Sequence, residues 1–543
     1  MPQLRLSTRM GATAITLAVI VAAVSVGGMA GPSVPTPNHA ANPAPRQWPM
    51  FGGTPQRNMV NPFEKNLPAT WSVEDGKRKN IKWTVALGSK AYGVPVIAGG
   101  RVFVGTNNEN PREKKWDVID PRTGKLIDLG VLMCFRESDG KFLWQAVHEK
   151  LPGGQVVDWP REGLCSAPVV EGERLYYVSN RGELTCAGVA DGKAIWTLDI
   201  IKELGVFPHN CSACSPLIVD DLVMVVTGNG VDGDHTNIPA PQAPSFIAVH
   251  KRTGKVVWQD NTPTAKFVGV KQDKQKFREL VNRGEMVAHA QWSSPASAVV
   301  NGKPQVIFLG GDGWIYAFDP RGKLIWKFDG NPKDAKYELS AKGTRNDFIA
   351  APVIYKNRVY IGMGQDPEHE RGVGHLWCID MTKKGDVSPE LVTDATVFPP
   401  KTKKNPNSAV VWHYGGAITD PVERKKKNRN YYFGRTMSTC AIHDGLLYIA
   451  ELSGWMHCLD ADTGVLQWTH DTDGAIWSSP YYADGKVFLG GDGKAVFVFE
   501  HGRKKKLLAE IEMEGRMRGI PVACNGVLYI TPENRLYAIA QDK

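Results

Sequence analysis

The sequence predicts an all-β chain that folds as an eight-bladed β-propeller of four-stranded antiparallel blades, with the ring closed by an N-terminal strand. Three observations support this prediction: a turn-rich composition, a unit that recurs eight times, and two chain ends that complement each other. Glycine accounts for 56 of the 543 residues, proline for 36 and tryptophan for 16. This composition favours short strands joined by tight turns around a recurring aromatic residue.

The recurring unit opens on a short tripeptide of mostly small residues, usually ending in proline. Four runs rich in Val, Ile, Leu, Tyr and Phe follow, separated by Gly, Asp or Asn, which is typical of four short antiparallel strands. The eight starts are Gly93-Val94-Pro95, Ser166-Ala167-Pro168, Cys214-Ser215-Pro216, Ser293-Ser294-Pro295, Ala350-Ala351-Pro352, Ser438-Thr439-Cys440, Ser478-Ser479-Pro480 and Gly519-Ile520-Pro521.

A glycine stands four residues before a tryptophan in five of the copies. The glycine allows the turn into the outer strand, and the tryptophan is large enough to wedge against the neighbouring sheet. One four-stranded sheet cannot bury both of its faces, so the sheets are expected to pack radially. The pairs are Gly140–Trp144, Gly192–Trp196, Gly254–Trp258, Gly322–Trp326 and Gly464–Trp468.

The two ends of the repeat region complement each other. Residues 80–85 resemble an outer strand that carries its tryptophan, Trp83, whereas the final copy stops at Ala540 without an outer strand. We therefore predict that residues 79–87 pair with residues 535–541. Such closure removes two exposed sheet edges.

The N-terminus is typical of an exported protein. Arg5 and Arg9 precede an apolar run from Ala12 to Val26, and small residues up to Ala30 suit a signal peptidase. A membrane anchor is the alternative, although the run is short. The predicted organisation is a signal peptide over 1–30, a leader and N-terminal extension over 31–78, and the propeller over 79–543. We expect an exported, monomeric protein of the periplasm or cell envelope, without a stable membrane span.

The formal charge of +9 comes from a few lysine- and arginine-rich runs next to Gly, Pro or Asn. Such runs are typical of solvated loops. Nucleic-acid binding would require basic residues interleaved with exposed aromatic residues on one face, and the sequence lacks that pattern.

Nine cysteines in an exported chain raise the question of disulfides. Cys134, Cys186, Cys378 and Cys458 end strand segments at which other copies have alanine, so we predict unpaired thiols in the core. Cys211 and Cys214 form a lone Cys-x-x-Cys, which lacks the second pair of a zinc site. A local disulfide and two buried thiols both remain open there, and the thiols are favoured.

The Asp-x-x-x-Gly-x-x-x-Trp element, present as Asp460, Gly464 and Trp468, resembles the tryptophan-docking motif of pyrroloquinoline quinone (PQQ) repeat propellers. The resemblance covers roughly residues 80–540. It implies structural docking roles for Trp83, Trp144, Trp196, Trp258, Trp326 and Trp468. The superfamily includes quinoprotein alcohol dehydrogenases and BamB-type outer-membrane assembly factors, so the fold alone does not decide the function.

Two stretches resemble the quinone site of the dehydrogenases. Thr227-Gly228-Asn229-Gly230 resembles the turn whose Asn ligates Ca²⁺, which makes Asn229 a weak candidate ligand beside its ordinary role in an Asn-Gly turn. His289-Ala290-Gln291-Trp292-Ser293 resembles the stretch that carries the catalytic Asp, but Ser293 stands at that position. A serine hydroxyl needs an activating partner to act as a base. We therefore expect no catalytic residue and no cofactor.

The remaining candidates are scattered. A three-histidine metal site from His209, His235 and His289 is a weaker alternative, and Asp232 or Asp234 could replace the missing base. Insertions over 107–130, 229–245, 270–286 and 383–408 could bind a partner or only cover the rim, and Phe277, Leu280 and Val281 predict a short amphipathic helix. We expect a non-catalytic binding or scaffolding module for a protein partner or small ligand. The alternative is a PQQ- and calcium-dependent dehydrogenase of alcohols or sugars.

Overall fold

The computed structural model describes residues 47–152, 157–210, 214–269, 273–287 and 289–542. Eight antiparallel sheets of four strands or more follow one another along the chain, and each forms one blade of the propeller. The predicted fold class is thereby confirmed. The predicted signal peptide and the first part of the leader lie outside the described residues.

The first four blades take their strands in chain order, from the axis outward. Blade 1 comprises Val96–Ala98, Arg101–Asn107, Gly130–Arg136 and Phe142–His148; blade 2 comprises Val169–Glu171, Arg174–Val178, Glu183–Gly188 and Ala194–Asp199. Blade 3 comprises Leu217–Val219, Leu222–Val226, Phe246–His250 and Val256–Asp260; blade 4 comprises Ala296–Val300, Lys303–Leu309, Trp314–Phe318 and Leu324–Asp329, with Gly385–Asp386 added at its edge.

Blades 5 to 7 continue this order. Blade 5 comprises Val353–Tyr355, Arg358–Met363, His375–Asp380 and Val410–Ala417, with Tyr431–Phe433 as a fifth strand. Blade 6 comprises Ala441–His443, Leu446–Ala450, Trp455–Asp460 and Leu466–Asp471; blade 7 comprises Tyr481–Ala483, Lys486–Gly491, Ala495–Glu500 and Leu507–Glu512.

Blade 8 is completed by a strand from the N-terminal side of the repeats, as the sequence predicts. Val522–Cys524, Val527–Ile530 and Arg535–Ile539 supply its first three strands. Ile81–Ala86 then runs antiparallel to the last of them, with Trp83 opposite Ala538. The closing pair leaves neither end of the ring as an open edge.

Residues 48–61, which we call the N-terminal plug, contact the innermost part of every blade. Backbone hydrogen bonds join the plug to Ile97, Val170, Ser297, Ile354, Cys440 and Tyr482. The short strand Val60–Asn61 pairs in parallel with the innermost strand of blade 7. The Asn61 side chain donates to Ala523 O of blade 8 at 3.0 Å. A segment outside the repeats therefore ties the inner ends of the blades together.

Arg57 is the central side chain of the plug. It is fully buried, and its guanidinium donates to the carbonyl oxygens of Phe51, Ser215, Pro216 and Pro295 at 2.8 to 3.0 Å. These bonds link the plug to blades 3 and 4. Burial lowers the pKa of Arg57 to about 10, which still leaves the group charged at neutral pH.

The outer tryptophans lie at the contacts between successive blades. The Trp144 indole N–H donates to Val189 O at 3.1 Å, across the boundary between blades 1 and 2. At the same boundary, a Cβ on Gly192 would lie 2.4 Å from the Trp144 ring. Trp83, Trp196, Trp258, Trp412 and Trp468 make the equivalent bond to the next blade, whereas Trp326 donates to Gln305 of its own blade.

Three short helices lie in the connections. They are α1 (Ile200–Leu204), α2 (Lys274–Asn282) and α3 (Pro421–Lys427). Single 3₁₀ turns lie at Lys114–Trp116, Ala265–Phe267 and Pro367–His369, and the insertion between the third and fourth strands of blade 5 adds a hairpin of Glu390–Asp394 and Lys401–Lys404. Within the described residues, these helices are too short and polar to cross a membrane.

The cysteines at strand ends behave as the sequence predicts. Cys134, Cys186, Cys378 and Cys458 are buried free thiols. Cys214 is also a free thiol, and its Sγ accepts the Val226 N–H at 3.3 Å. Ser166 Oγ accepts Val178 N–H in the same way in blade 2, so the thiol of Cys214 replaces a serine hydroxyl. Cys211 lies outside the described residues.

Candidate functional site

One residue from the start of each of the eight blades faces a common cavity of about 390 Å³. In every case it is the middle residue of the tripeptide that opens the repeat. We call these residues the axial ring, and their modest size leaves room at the centre of the propeller. They are Val94, Ala167, Ser215, Ser294, Ala351, Thr439, Ser479 and Ile520.

Hydroxyl groups hold parts of the axial ring in place. Ser215 Oγ accepts the Ala167 N–H at 3.0 Å, and Ser294 Oγ accepts the Ser215 N–H at 2.9 Å. Thr439 and Ser479 make the same contact to the preceding blade on the other side of the ring. The recurring Ser and Thr thus satisfy backbone donors that would otherwise be buried without a partner.

The plug lies to one side of the axial ring. In blade 1, the plug bonds to Ile97, three residues after the ring residue Val94. The same spacing of three holds at Val170, Ser297, Ile354, Ile442, Tyr482 and Ala523. At about 3.3 Å per residue, the plug backbone meets these strands roughly 10 Å from the ring, whereas the Arg57 side chain reaches the ring residue Ser215 itself. Phe51 of the plug also lines the cavity.

Aromatic side chains form much of the cavity wall. Tyr92, Trp159, Trp292 and Trp477 all line it. Arg518 lies over the Trp477 ring, with its guanidinium carbon 4.2 Å from the ring centroid. Its guanidinium also bonds the Tyr92 hydroxyl at 2.7 Å and Asp492 at 3.2 Å. The cation and the two rings are therefore held as one preorganised surface.

Glu162 adds an acid to this wall. Burial is the main cause that raises its pKa to about 7, and Lys90 opposes that shift. Both residues line the cavity. The cavity therefore combines flat apolar surfaces with a few charged groups, which is typical of a small-molecule site.

A cluster of four histidines and one carboxylate adjoins this cavity. The ring of His289 lies 4.1 Å from that of His209 and 4.6 Å from that of His235, centroid to centroid. The ring of His369 lies 5.3 Å from that of His289. Asp366, which lines the cavity, places Oδ2 2.8 Å from Nε2 of His289. We call these five residues the histidine cluster.

The backbone around the histidine cluster is closely packed. His209 N–H donates to Gly228 O, and Val231 N–H donates to His289 O. A Cβ on Gly230 would lie 2.7 Å from His289 O and 2.8 Å from Cβ of His209. Only glycine fits there, so the turn at 228–231 holds two of the histidines side by side.

Residues 273–286, the described part of the predicted insertion, pack beside the cluster. As predicted, the insertion contains an amphipathic helix, α2, whose Phe277, Leu280 and Val281 are buried. They form a small core together with Val231, Phe267, Met286 and Tyr337, among others. The Tyr337 hydroxyl lies 3.5 Å from Nδ1 of His235. The insertion therefore packs through Phe277 against Tyr337, which lies beside the imidazoles.

Burial keeps the imidazoles neutral. Desolvation is the main cause that lowers the pKa of His209, His235 and His289 to about 4 in each case. Burial also acts to raise the pKa of Asp366, but the neighbouring His289 and His369 outweigh it and hold that pKa below its ordinary value. At neutral pH the rings of His209, His235 and His289 are therefore uncharged and lie beside the Asp366 carboxylate.

The two positions that resemble the quinone site have other partners. Ser293 Oγ donates to Ala350 O at 2.8 Å. The Asn229 amide nitrogen donates to Ala240 O at 2.9 Å, and its oxygen accepts the Phe207 N–H at 3.2 Å. The side chain of Asn229 thus joins the loop at Ala240 to the segment at Phe207.

The other acids considered from the sequence do not line the cavity. Asp232 accepts bonds from Thr236 and Asn237 within its loop, and neither Asp232 nor Asp234 is among the residues around the cavity. Ca²⁺ prefers several oxygen ligands, whereas the donors gathered here are mostly imidazole nitrogens. The residues present therefore do not fit a quinone-bound calcium ion.

The sequence proposed three of the clustered histidines only as a weaker alternative. The structure brings His209, His235 and His289 together and adds Asp366 and His369, which sequence reasoning missed. These residues come from four separate loops, so no local spacing links them. The Asp-Pro-x-His order at 366–369 suggests only a helix cap.

Comparisons with known proteins agree with this architecture. A family model described as outer membrane protein assembly factor BamB matches residues 128–393 and 404–507. Among solved structures, quinohemoprotein alcohol dehydrogenase from Comamonas testosteroni has 13% identity and a TM-score of 0.58, over 93% of this chain and 82% of that chain.

BamB from Moraxella catarrhalis has 13% identity and a TM-score of 0.48, over 85% of this chain and 96% of that chain. The comparison with curated proteins gives no match. The quinohemoprotein structure, at a TM-score of 0.58 and 13% identity, shows a shared fold, whereas the family model covers more than half of the chain. The chain therefore belongs to the PQQ-repeat propeller family that the BamB model describes.

Proposed function

We propose that this protein is an exported binding module that holds a small, flat ligand in its axial cavity. The observation that carries the proposal is the convergence of all eight repeat starts on one cavity of about 390 Å³. That volume lies within the range of about 300–1,000 Å³ that small-molecule sites occupy. The plug ties the inner strands together beside it, which supports a preformed site.

The chemistry of the wall supports a flat ligand with polar edges. Trp292 and Trp477 offer aromatic faces, and Arg518 offers a cation whose position Asp492 fixes. A flat molecule gains stacking area on such faces at little cost in conformational entropy. The charged groups would then select the pattern of polar atoms at its edge.

The family and the N-terminal sequence support an envelope role. The matching family model is that of an outer membrane assembly factor, and residues 1–30 have the pattern of a signal peptide. A protein partner bound through the blade loops is the other form of the same binding role. Fractionation of cells that express the full chain tests export, since a protein retained in the cytoplasm would contradict it.

Ligand binding is tested by thermal melting of the purified protein with a panel of flat aromatic compounds, including PQQ. We expect a compound that raises the melting temperature of the wild type and fails to do so for Trp477→Ala. Trp116→Ala, which changes a tryptophan away from the cavity, is the control. Stabilisation that survives in both Trp477→Ala and Arg518→Met would place binding elsewhere.

A second measurement distinguishes the dehydrogenase alternative from the binding proposal. PQQ, Ca²⁺, a redox dye and a panel of alcohols and sugars are added together. We expect no dye reduction that requires all of them, because Ser293 donates to Ala350 O and supplies no carboxylate base. Reduction that depends on quinone, calcium and substrate together would replace the binding proposal with the enzymatic one.

A further inference from the structure

We propose that His209, His235 and His289 bind a divalent transition-metal ion, with Asp366 as the adjacent carboxylate and His369 as its positioning residue. Ligand atoms of the three histidines lie within 4.8 Å of one another, and the same holds for His289, Asp366 and His369. This inference is independent of what the axial cavity holds. The ligand is the ion itself.

Buried ring nitrogens of the cluster are left without aligned hydrogen-bond partners. His289 is 2% exposed and His369 is 3% exposed. Among the described residues, both nitrogens of His289 and Nε2 of His369 lack a hydrogen-bond partner of acceptable alignment. A buried polar atom without a partner is costly, and an imidazole lone pair is satisfied by a metal ion as well as by a proton donor.

Hydrogen bonds orient the imidazole rings of His209 and His369. His209 Nδ1 lies 2.9 Å from Val231 O, a bond in which the ring N–H donates and which leaves Nε2 as the free lone pair. His369 Nδ1 lies 2.8 Å from Oδ1 of Asp366, and Glu368 N–H donates to the same oxygen. Backbone and carboxylate partners of this kind commonly fix metal-binding histidines.

The contact between His289 and Asp366 is short but misaligned. Nε2 of His289 and Oδ2 of Asp366 are 2.8 Å apart. The nitrogen nevertheless has no aligned hydrogen bond to a described residue, because its N–H direction does not point at this oxygen. Two ligands about 2.0–2.2 Å from one ion lie roughly 3 Å apart without pointing at each other. The short, misaligned contact is therefore what groups facing a shared cation would show.

The donors determine the class of ion. Neutral imidazole suits zinc, copper, iron and nickel, whereas Ca²⁺ and Mg²⁺ prefer oxygen ligands. The single carboxylate offsets part of the charge of a divalent ion. Tyr337, which packs against α2, lies on one side of the cluster. Asp366 lines the axial cavity on another side, which gives an ion a route in.

The test uses the full chain, stripped of metal with a chelator and titrated with Co²⁺ and Zn²⁺. We expect one equivalent of Co²⁺ to bind, with visible absorption bands typical of nitrogen ligation, and Zn²⁺ to displace it. His235→Asn should weaken binding at least tenfold and remove the bands. This histidine is less buried than its neighbours, so the variant should fold.

His413→Asn is the matched control. His413 belongs to a separate histidine pair with His375, whose Nδ1 lies 3.0 Å from Nε2 of His413, so its loss should leave the cobalt spectrum unchanged. Asp366→Asn is a second variant of the proposed site, which removes the charge of the adjacent carboxylate. It should weaken binding of Co²⁺ about 10- to 100-fold. Its use keeps the test decisive if His235→Asn does not fold.

Three results would overturn the proposal. One is a wild type that binds Co²⁺ no more tightly than His235→Asn and Asp366→Asn do. Another is a spectrum that His413→Asn abolishes, which would assign the ion to the other pair. The third is displacement of Co²⁺ by Ca²⁺ at similar concentration, which would show that nitrogen ligation is wrong.

Discussion

Ser293 shows how a repeated position determines the role of a side chain. It is the first residue of its repeat start, and Ser478 is the first residue of another. Ser293 Oγ donates to Ala350 O at 2.8 Å, and Ser478 Oγ donates to Gly519 O at 3.0 Å, in each case to the next blade. The residue at the position of a catalytic aspartate is therefore a bridge between blades.

We expect Ser293→Ala and Ser478→Ala to lower the free energy of unfolding by similar amounts, about 1–2 kcal/mol each. Each change leaves a buried carbonyl without its donor. Denaturant unfolding of both variants provides the measurement. A much larger effect at Ser293 than at Ser478 would indicate a role beyond the repeat.

Glu162 should make stability depend on pH. Its pKa is about 7 in the folded protein, against an ordinary value of 4.5. The folded state therefore binds more protons than the unfolded state between these values, and stability should fall as pH rises from about 4.5 to 7. The charged groups that act on it are Lys90, Lys150, Asp158 and Glu368.

Glu162→Gln should flatten this part of the stability curve. Melting of both proteins at several pH values, without added ligand, measures the difference. Equal pH dependence of the two proteins would assign the effect to other groups.

At the scale of the element, the contact between blades depends on glycine. Gly192 has φ of +70°, and a Cβ there would lie 2.4 Å from the Trp144 ring. Gly172 has φ of +60°, but a Cβ there would meet nothing within 4 Å. The two positions share the strained backbone and differ in the packing.

We expect Gly172→Ala to cost about 1–2 kcal/mol, because only the left-handed conformation is penalised. Gly192→Ala should cost clearly more, because the tryptophan must also move. Thermal melting of the pair measures the excess. Equal losses would mean that the tryptophan contact contributes little.

The plug is the element that the repeat pattern could not predict. Residues 48–61 do not belong to a copy of the repeat, and the sequence predicts only that they lie in a leader and N-terminal extension over 31–78. Arg57 carries its tightest contacts, with four carbonyl acceptors. Only the folded ring brings these acceptors together, so no local pattern marks the residue.

Arg57→Ala should lower the free energy of unfolding by about 3 kcal/mol or more, since several buried carbonyls lose their donor at once. Lys65→Ala, at an exposed position just beyond the plug, is the control and should change little. Equilibrium unfolding in urea measures both. A loss below 1 kcal/mol for Arg57→Ala would show that water replaces the guanidinium.

At the scale of the molecule, ring closure was predictable because its parts are repeated. The strand that carries Trp83 resembles the outer strands of other blades, and the last copy of the repeat lacks an outer strand. The pairing of these two segments could therefore be predicted by counting the strands of each copy. The histidine cluster was not predictable in the same way. His209, His235, His289 and His369 belong to loops whose proximity depends on how neighbouring blades and insertions pack.

Removal of residues 1–86, which includes the whole closing strand Ile81–Ala86, should leave blade 8 with an open edge and remove the plug as well. We expect the shortened protein to melt at a lower temperature and to aggregate, as unpaired edges promote association. Light scattering and melting against the full chain measure this. Unchanged melting would contradict a closing role for Ile81–Ala86.

The plug also bears on how the ring assembles. In most repeat proteins each unit contacts only its neighbours, so parts of the array fold or unfold separately. Here a segment near the N-terminus has partners in all eight blades, including Ala523 of the last one. Its contacts span more than 460 residues and are completed only after the final blade exists. Such long-range contacts slow folding, and they make the eight blades a single cooperative unit.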